Sequence, residues 1–156
     1  MNQAGKNLKT ELTKFLNQDH DNDDEKSWMI AQTDNPTTKK LLSKLSTRAL
    51  ETIEVIGKSN KIHIKDIPEL VGASQPTISR MMVKLDDMGI VNVTFLSENK
   101  KEKIVTLTKS GMEIFDLHDQ LEDHLQDKLT SIFNHYSADE LKLFSKLMRN
   151  INEIKL

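Results

Sequence analysis

The feature that most constrains the fold is a closely punctuated segment between about Lys61 and Thr108. Asp66-Ile67-Pro68-Glu69 can begin a helix, because aspartate caps a first turn, proline fits within it and glutamate can cap reciprocally. Gly72 ends this short helix, Ser74 can begin another, and Gly89 ends that one in turn. The sequence therefore predicts two helices joined by a tight turn.

Two β-branched segments of alternating polarity follow, at about Ile90–Leu96 and Ile104–Thr108. The polar stretch between them, Ser97–Lys103, is predicted to be a hairpin tip with a basic character. Ile62–Ile64 suits a very short strand ahead of the helix pair. Helix, turn, helix and hairpin in this order predict a winged helix-turn-helix, in which one helix enters the major groove of DNA and the hairpin contacts the backbone or minor groove.

The second helix of the pair has the composition that DNA reading requires. Its opening turn carries short polar groups that can approach phosphates and base edges, and a hydroxyl and two cations follow one turn later. The predicted DNA-binding residues of this helix are Ser74, Gln75, Thr77, Ser79, Arg80 and Lys84. Those of the hairpin, the wing, are Lys100, Lys101 and Lys103. The alternative is an amphipathic helix and a charged hairpin whose polar faces are only solvated.

The residues before this lobe are expected to be mainly helical. A first amphipathic helix is predicted from about Lys6 to Gln18, followed by a loop over the acidic run Asp19–Glu25. A small apolar cluster comes next, made of Trp28, Met29 and Ile30. Asn35-Pro36 breaks the chain, and one further helix is predicted from about Thr38 to Gly57, where the glycine would cap its end.

A long amphipathic helix is predicted after the hairpin, starting at Thr108 or Ser110 and carrying an apolar stripe as far as Ile132. At ~1.5 Å per residue it would be on the order of 35 Å long. Ser137-Ala138-Asp139-Glu140 is a capping box that begins a last helix. A lobe of roughly 50 residues cannot cover such stripes, so a partner chain is expected. We expect dimerisation helices at 1–44 and 110–156 around a DNA-binding lobe at 45–109.

Charge is distributed unevenly along the chain, although the net charge is only −2. Residues 1–60 carry nine Lys/Arg against nine Asp/Glu, residues 61–109 carry eight against six, and residues 110–156 carry five against nine. The balances are therefore 0, +2 and −4. A modestly basic centre between neutral and acidic flanks fits a protein that binds DNA through its middle.

Several function classes are excluded by residue types that the sequence lacks. Without cysteine there is no disulfide, thiolate nucleophile, thiol redox sensor or cysteine-ligated zinc. No phosphate-binding glycine loop or serine elbow is present, so we predict neither an enzyme nor a cofactor. No apolar run approaches the roughly 18 residues that span a bilayer, and the N-terminal segment lacks the apolar core of a signal peptide. We expect a cytoplasmic protein with no membrane partner.

The central segment resembles the MarR family of bacterial transcriptional regulators. IPELVGASQPTISRMMVKLDDMGIV is similar to the family's helix-turn-helix, KKEKIVTLTKSG is similar to its wing, and the resemblance runs from about Leu45 to Phe115. It implies a homodimeric repressor that places two recognition helices about 34 to 36 Å apart on a pseudo-palindromic operator. Family wings commonly carry Asp-x-Arg where this chain has Asn99-Lys100-Lys101. Because lysine lacks the planar bidentate guanidinium, we expect this wing to grip phosphate rather than read bases.

Three alternatives concern what else the protein binds. Members of this family often bind small aromatic or anionic effectors, for which His63 or the Trp28 cluster could line a crevice, although apolar clusters are more often core. Some members sense zinc, but His118 and His124 are six residues apart and so fall on different faces of a helix, and we predict no metal site. His20 in its acidic run is more simply a solvated loop. A winged helix used only for protein assembly is the remaining alternative.

Overall fold

The structure is a computed structural model that describes residues 1–17, 22–96 and 99–154, with side chains for all of these except 16, 17, 22, 23 and 99–101. Its elements within these ranges are helices and one three-stranded antiparallel sheet of order β1-β3-β2. The helices are α1 (Gln3–Asn17), α2 (Asn22–Ala31), α3 (Pro36–Leu42), α4 (Thr47–Ser59), α5 (Ile67–Val71), α6 (Gln75–Asp87), α7 (Lys109–Phe133) and α8 (Ala138–Asn152). The strands are β1 (Ile62–His63), β2 (Val91–Leu96) and β3 (Asn99–Leu107). The predicted mainly helical fold with a small β wing is confirmed.

The chain divides into two compact units, residues 1–118 and residues 119–156. The first contains α1 to α6, the sheet and the start of α7. The second contains the remainder of α7 and all of α8. No helix in the described ranges is both long enough and apolar enough to cross a membrane.

Helix α2 begins earlier than the sequence suggested. The loop predicted over Asp19–Glu25 is wrong from Asn22 onward, where the chain is already helical, while 19–21 lie outside the described residues. Carboxylates are favourable at the positive end of a helix dipole, so an acidic run without apolar periodicity can still form a first turn. The helix is anchored further on by Met29, which is fully buried.

The single helix predicted from Thr38 to Gly57 is wrong, because the chain forms two helices there, α3 and α4. Asn35 caps α3 by accepting a hydrogen bond from the Thr37 backbone N at 3.0 Å. Ser46 caps α4 in the same way, with its Oγ 3.2 Å from the Ala49 backbone N. The intervening turn allows Leu42 and Leu45 to be buried together, which outweighs continuous helical periodicity.

Gly57 is an interior residue of α4 and not its cap, contrary to the prediction. The helix continues to Ser59, and Asn60 follows with a left-handed φ of 57°. A Cβ on Gly57 would lie 2.3 Å from Cδ2 of Phe115 at the start of α7. Glycine is therefore required here by the close approach of an aromatic ring.

The wing is longer than predicted, because β3 begins at Asn99 and not near Ile104. The polar tip predicted over Ser97–Lys103 is therefore wrong, and only 97–98, which lie outside the described residues, separate the strands. β2 pairs regularly with β3 from Val91↔Leu107 to Phe95↔Lys103, beyond which the register shifts. Polar residues can continue the ladder there because one face of an antiparallel hairpin can be solvated.

The core of the winged lobe is apolar and lies behind α6. The rear of α6 is buried through Ile78, Met82 and Leu85, whereas Met81 is half-buried. The first strand contributes through its pairing with β3, Ile62↔Val105 and His63↔Ile104, which confirms the predicted short strand. This packing fixes the orientation in which α6 presents its other face.

The second unit exposes much of its apolar surface. The predicted capping box is present, since Ser137 Oγ lies 3.3 Å from the Glu140 backbone N and Glu140 Oε2 lies 2.7 Å from the Ser137 backbone N. The Ser137 backbone N and the Ser137 hydroxyl both donate hydrogen bonds to the Glu140 carboxylate, and these lower the pKa of Glu140. No described side chain of α8 is buried. The large apolar side chains exposed in this unit are Leu125, Leu129, Ile132, Phe133, Leu143, Phe144 and Ile154.

Candidate nucleic-acid interface

The turn between α5 and α6 is stabilised by the conformation of Gly72 and by hydrogen bonds from Arg48. Gly72 ends α5 in the left-handed conformation, with φ 60° and ψ 43°, as the sequence predicted. Arg48 of α4 donates hydrogen bonds from Nη1 to the carbonyl oxygens of Val71 and Gly72, the latter at 3.1 Å. Asp66 makes no side-chain capping hydrogen bond, so the predicted aspartate cap of α5 is wrong. Arg48, which the sequence did not single out, instead secures this helix at its other end.

Helix α6 begins with a serine cap. Ser74 has extended backbone angles, and its Oγ accepts a hydrogen bond from the Thr77 backbone N at 3.4 Å. The hydroxyls of Ser74 and Thr77 lie 2.8 Å apart and bond to each other. Both predicted contact residues are thus held within the opening turn by their own hydrogen bonds.

The outward face of α6 carries all six of its predicted DNA-binding residues. Ser74, Gln75, Ser79, Arg80 and Lys84 are exposed, and Thr77 is half-buried. At ~100° per residue, the middle of this face is formed by Pro76, Arg80, Val83 and Asp87. Val83 is an apolar side chain that is 63% exposed one turn beyond Arg80, and the sequence analysis missed it. The sequence signal for Val83 is that it is an apolar residue on the otherwise polar side of α6.

A groove of about 220 Å³ separates the start of α6 from the sheet. Gln75 and Ser79 line it on the helix side. On the other side it is lined by His63, Lys65, Glu102 and Lys103. A groove of this kind, between a recognition helix and a wing, has polar and cationic groups that can face a DNA backbone.

Of the three predicted wing lysines, the structure describes the side chain of Lys103 only. Its Nζ lies 5.3 Å from the centroid of the Phe95 ring on the paired strand, a cation–π distance. The side chains of Lys100 and Lys101 lie outside the described residues. The interpretation of these two lysines as phosphate contacts stays a prediction.

Glu102 is the carboxylate at the centre of this groove. Its Oε1 lies 2.9 Å from Lys65 Nζ, and its Oε2 lies 3.9 Å from His63 Nδ1. The hydrogen bond and charge of Lys65 lower the pKa of Glu102, and the carboxylate in turn raises the pKa of Lys65. The sequence analysis missed this pair, because only the pairing of β1 with β3 brings its members together.

His118, His63 and the apolar cluster made of Trp28, Met29 and Ile30 lie in different environments. His118 is buried, with Nδ1 3.8 Å from Glu54 Oε2. No group of three metal-binding side chains occurs within residues 1–17, 22–96 and 99–154. Met29 is part of the core, whereas Trp28 and Ile30 are half-buried, and His63 lines the groove beside α6.

The chain is similar to known proteins both in sequence and in structure. Over 109 residues, 70% of this chain, it is 28% identical to the uncharacterized HTH-type transcriptional regulator YhjH of Bacillus subtilis (strain 168), of which the match covers 62%. Streptococcus pneumoniae FabT, solved in complex with DNA, superposes with a TM-score of 0.66 at 18% identity, covering 95% of this chain and 94% of FabT. Lactococcus lactis ZitR, a zinc-responsive MarR family member, gives 0.63 at 13%, covering 70% and 76%.

These likenesses have definite limits. No family model matches the chain. The chain spans about 60% of the length of the curated relatives it matches. The likeness to solved structures concerns the fold alone, and it confirms the predicted winged helix-turn-helix.

Proposed function

We propose that this chain, which has the winged helix-turn-helix fold of the MarR-type regulators, is a sequence-specific DNA-binding transcriptional regulator that acts in the cytoplasm. The observation that carries the proposal is the outward face of α6, where the polar and cationic residues from Ser74 to Lys84 stand clear of an apolar rear face. A curated relative described as a transcriptional regulator and a structural neighbour solved with DNA support it. The proposal is of a binding protein and not of an enzyme.

The proposed contacts divide by chemistry. Gln75, Thr77 and Arg80 would read base edges, because amide, hydroxyl and guanidinium groups match the donors and acceptors of the major groove. Lys84 and the wing lysines Lys100, Lys101 and Lys103 would bind phosphate, which positions the protein and adds affinity that depends on salt. Asp86 and Asp87 follow Lys84 at the far end of α6, so the helix would enter the groove with its N-terminus first.

The proposal includes a homodimer, with 1–44 and 110–156 forming the interface and 45–109 binding DNA. Support comes from the second unit, where leucine, isoleucine and phenylalanine side chains of α7 and α8 are exposed. Contiguous apolar surface of this kind is a common mark of a protein interface. A two-fold dimer would present two copies of α6 to half-sites about one helical turn apart.

We further propose repression as the mode of action and a small-molecule effector as the releasing signal. An effector would act by favouring a dimer whose two α6 helices no longer match the spacing of the half-sites. Residues for the effector are not assigned. Metal responsiveness and a purely protein-binding winged helix are alternatives, and the second of these predicts no affinity for DNA.

The test of DNA reading uses Arg80→Ala, with Lys58→Ala on α4 as the control, since Lys58 is an exposed cation outside the proposed interface and the outward face of α6. Genome fragments bound by the purified chain are selected first, and the affinity of each variant for the selected duplex is then measured by fluorescence anisotropy. Arg80→Ala should weaken binding by about 1–3 kcal/mol for each half-site, whereas the control should bind like the wild type. Equal affinity of both variants for the duplex would contradict the assignment of α6.

The dimer is tested separately by sedimentation equilibrium. Leu129→Glu places a charge on the exposed stripe of α7 and should shift the protein from a dimer to a monomer. Ser131→Glu, which adds the same single charge at an exposed position on the opposite side of α7, is the control for the introduced charge. A wild-type protein that sediments as a monomer would overturn this part of the proposal without affecting the assignment of α6.

A further inference from the structure

The Lys65–Glu102 ion pair lies where a DNA backbone would pass. Lys65 follows β1 by two residues, and Glu102 precedes the β3 partner of His63 by two residues. Lys65 lies in the single 3₁₀ turn Ile64–Asp66 that follows β1, and its Nζ is 2.9 Å from Oε1 of Glu102 on β3. The pair borders the same groove as Gln75 and Ser79 of the recognition helix.

Glu102 differs in charge from the other ionisable residues that line the groove. The other charged side chains that line the groove are Lys65, His63 and Lys103, each of which is cationic or can become so. The Glu102 carboxylate would repel a phosphate that entered the groove. It also forms an ion pair with the Lys65 ammonium group, which is then less able to bind that phosphate. Both effects oppose binding of the backbone, and neither depends on the base sequence.

We propose that Glu102 is an affinity-limiting residue that holds Lys65 away from the DNA backbone and so lowers the sequence-independent part of DNA binding. The proposal rests on the proposed function and deepens it. Contacts to phosphate are equally available on every duplex, whereas the contacts of α6 with bases are not. Withholding one lysine per protomer therefore lowers the sequence-independent part of the affinity, which operator and non-target DNA share.

The ion pair is exposed enough to exchange partners. The side chains of Lys65 and Glu102 are 61% and 35% exposed, and exposed lysine–carboxylate pairs are individually weak. Phosphate could therefore compete for Lys65 once the carboxylate is neutralised. Each phosphate contact contributes about −0.9 to the slope of log K against log salt concentration, so releasing Lys65 should steepen this slope by about 0.9 per protomer.

The experiment measures binding of Glu102→Gln to a random-sequence duplex and to the selected operator over a series of salt concentrations. At roughly 0.1 M salt we expect about 3- to 10-fold tighter binding to both duplexes, with the steeper slope, and an unchanged ratio of operator to random affinity. In a Lys65→Gln background the same substitution should change affinity less than about twofold. Glu102→Ser should reproduce the gain, which guards against a folding defect peculiar to one variant.

The matched control is Glu54→Gln, which removes a carboxylate from another lysine pair, Lys58–Glu54 on α4, outside both the proposed interface and the groove. It changes the net charge equally and should leave the binding curves unchanged. An unaltered affinity in Glu102→Gln, or a gain that persists without Lys65, would overturn the proposal while leaving the regulator assignment intact. If the wild type bound neither duplex, both the proposed function and the role proposed for Glu102 would be refuted.

Discussion

Replacing Gly111 by alanine tests whether the packing of the first turn of α7 is as close as the structure shows. A Cβ at Gly111 would lie 2.1 Å from the carbonyl oxygen of Ile90, the residue that connects α6 to β2. That oxygen is a fixed backbone atom, since it accepts a hydrogen bond from the Thr108 backbone N at 3.0 Å. The Thr108 hydroxyl also lies 3.1 Å from it. The clash cannot be relieved by rotating a side chain.

The size of the effect follows from three contributions. Overpacking of a closely packed site costs about 1–3 kcal/mol, and lengthening the hydrogen bonds to Ile90 costs about 1 kcal/mol more. Alanine is a better helix former than glycine by about 0.5–1 kcal/mol, which acts in the opposite direction. Gly111→Ala should therefore lower the free energy of unfolding by about 1–3 kcal/mol, which for a chain of this size shifts Tm by roughly 2–4 °C per kcal/mol.

The assay is urea-induced unfolding followed by circular dichroism, with Gly72→Ala as the comparison. Gly72 has φ +60° but no atom within 4 Å of a Cβ, so its substitution costs only the left-handed backbone strain of about 1–2 kcal/mol. Relieving the Gly111 clash must move the segment that joins the recognition helix to the wing, so Gly111→Ala should also weaken binding to the operator. A Gly111→Ala protein as stable as the wild type, or more stable, would refute the close approach.

Three further predictions concern single contacts. Arg48→Ala removes the hydrogen bonds that hold the turn before α6 and should lower both the free energy of unfolding, by about 1–2 kcal/mol in urea titrations, and the affinity for the operator. Gly57→Ala should destabilise the protein in the same assay, and Phe115→Leu should be less harmful in its presence than in the wild type, because the ring no longer meets the new methyl group. The pKa of Glu140 is lowered in the folded chain, so its capping contribution should be present at neutral pH and lost as the pH falls through the folded pKa. Acid titration of helicity should show this loss in the wild type and a smaller one in Glu140→Gln.

Features set by neighbouring residues could be predicted from the sequence. Gly72, Ser74 and Ser137 cap their helices because the capping groups lie within a few residues of the backbone atoms they bind. The outward face of α6 could be predicted for a similar reason. Its apolar and polar residues alternate with the 3.6-residue period of a helix, which separates them onto two sides. These local signals sufficed for the fold class and for the predicted contact residues of the helix.

The errors arose where distant parts of the chain decide the structure. Apolar periodicity continues through the break between α3 and α4, so only the Ser46 cap and the packing of Leu45 reveal two helices. Gly57 resembles a helix cap until Phe115 is placed against it. The Lys65–Glu102 pair joins residues 37 positions apart and depends on the pairing of β1 with β3, which no local pattern contains.

The central claim, that α6 reads a DNA sequence, is tested most directly by selecting duplexes from a random pool with the full chain and sequencing those retained at several salt concentrations. We expect enrichment of an inverted repeat whose half-site centres lie about 10–10.5 base pairs apart. We also expect binding to it that weakens steeply as salt increases. A pool without any enriched sequence, together with a nearly flat dependence on salt, would contradict the claim.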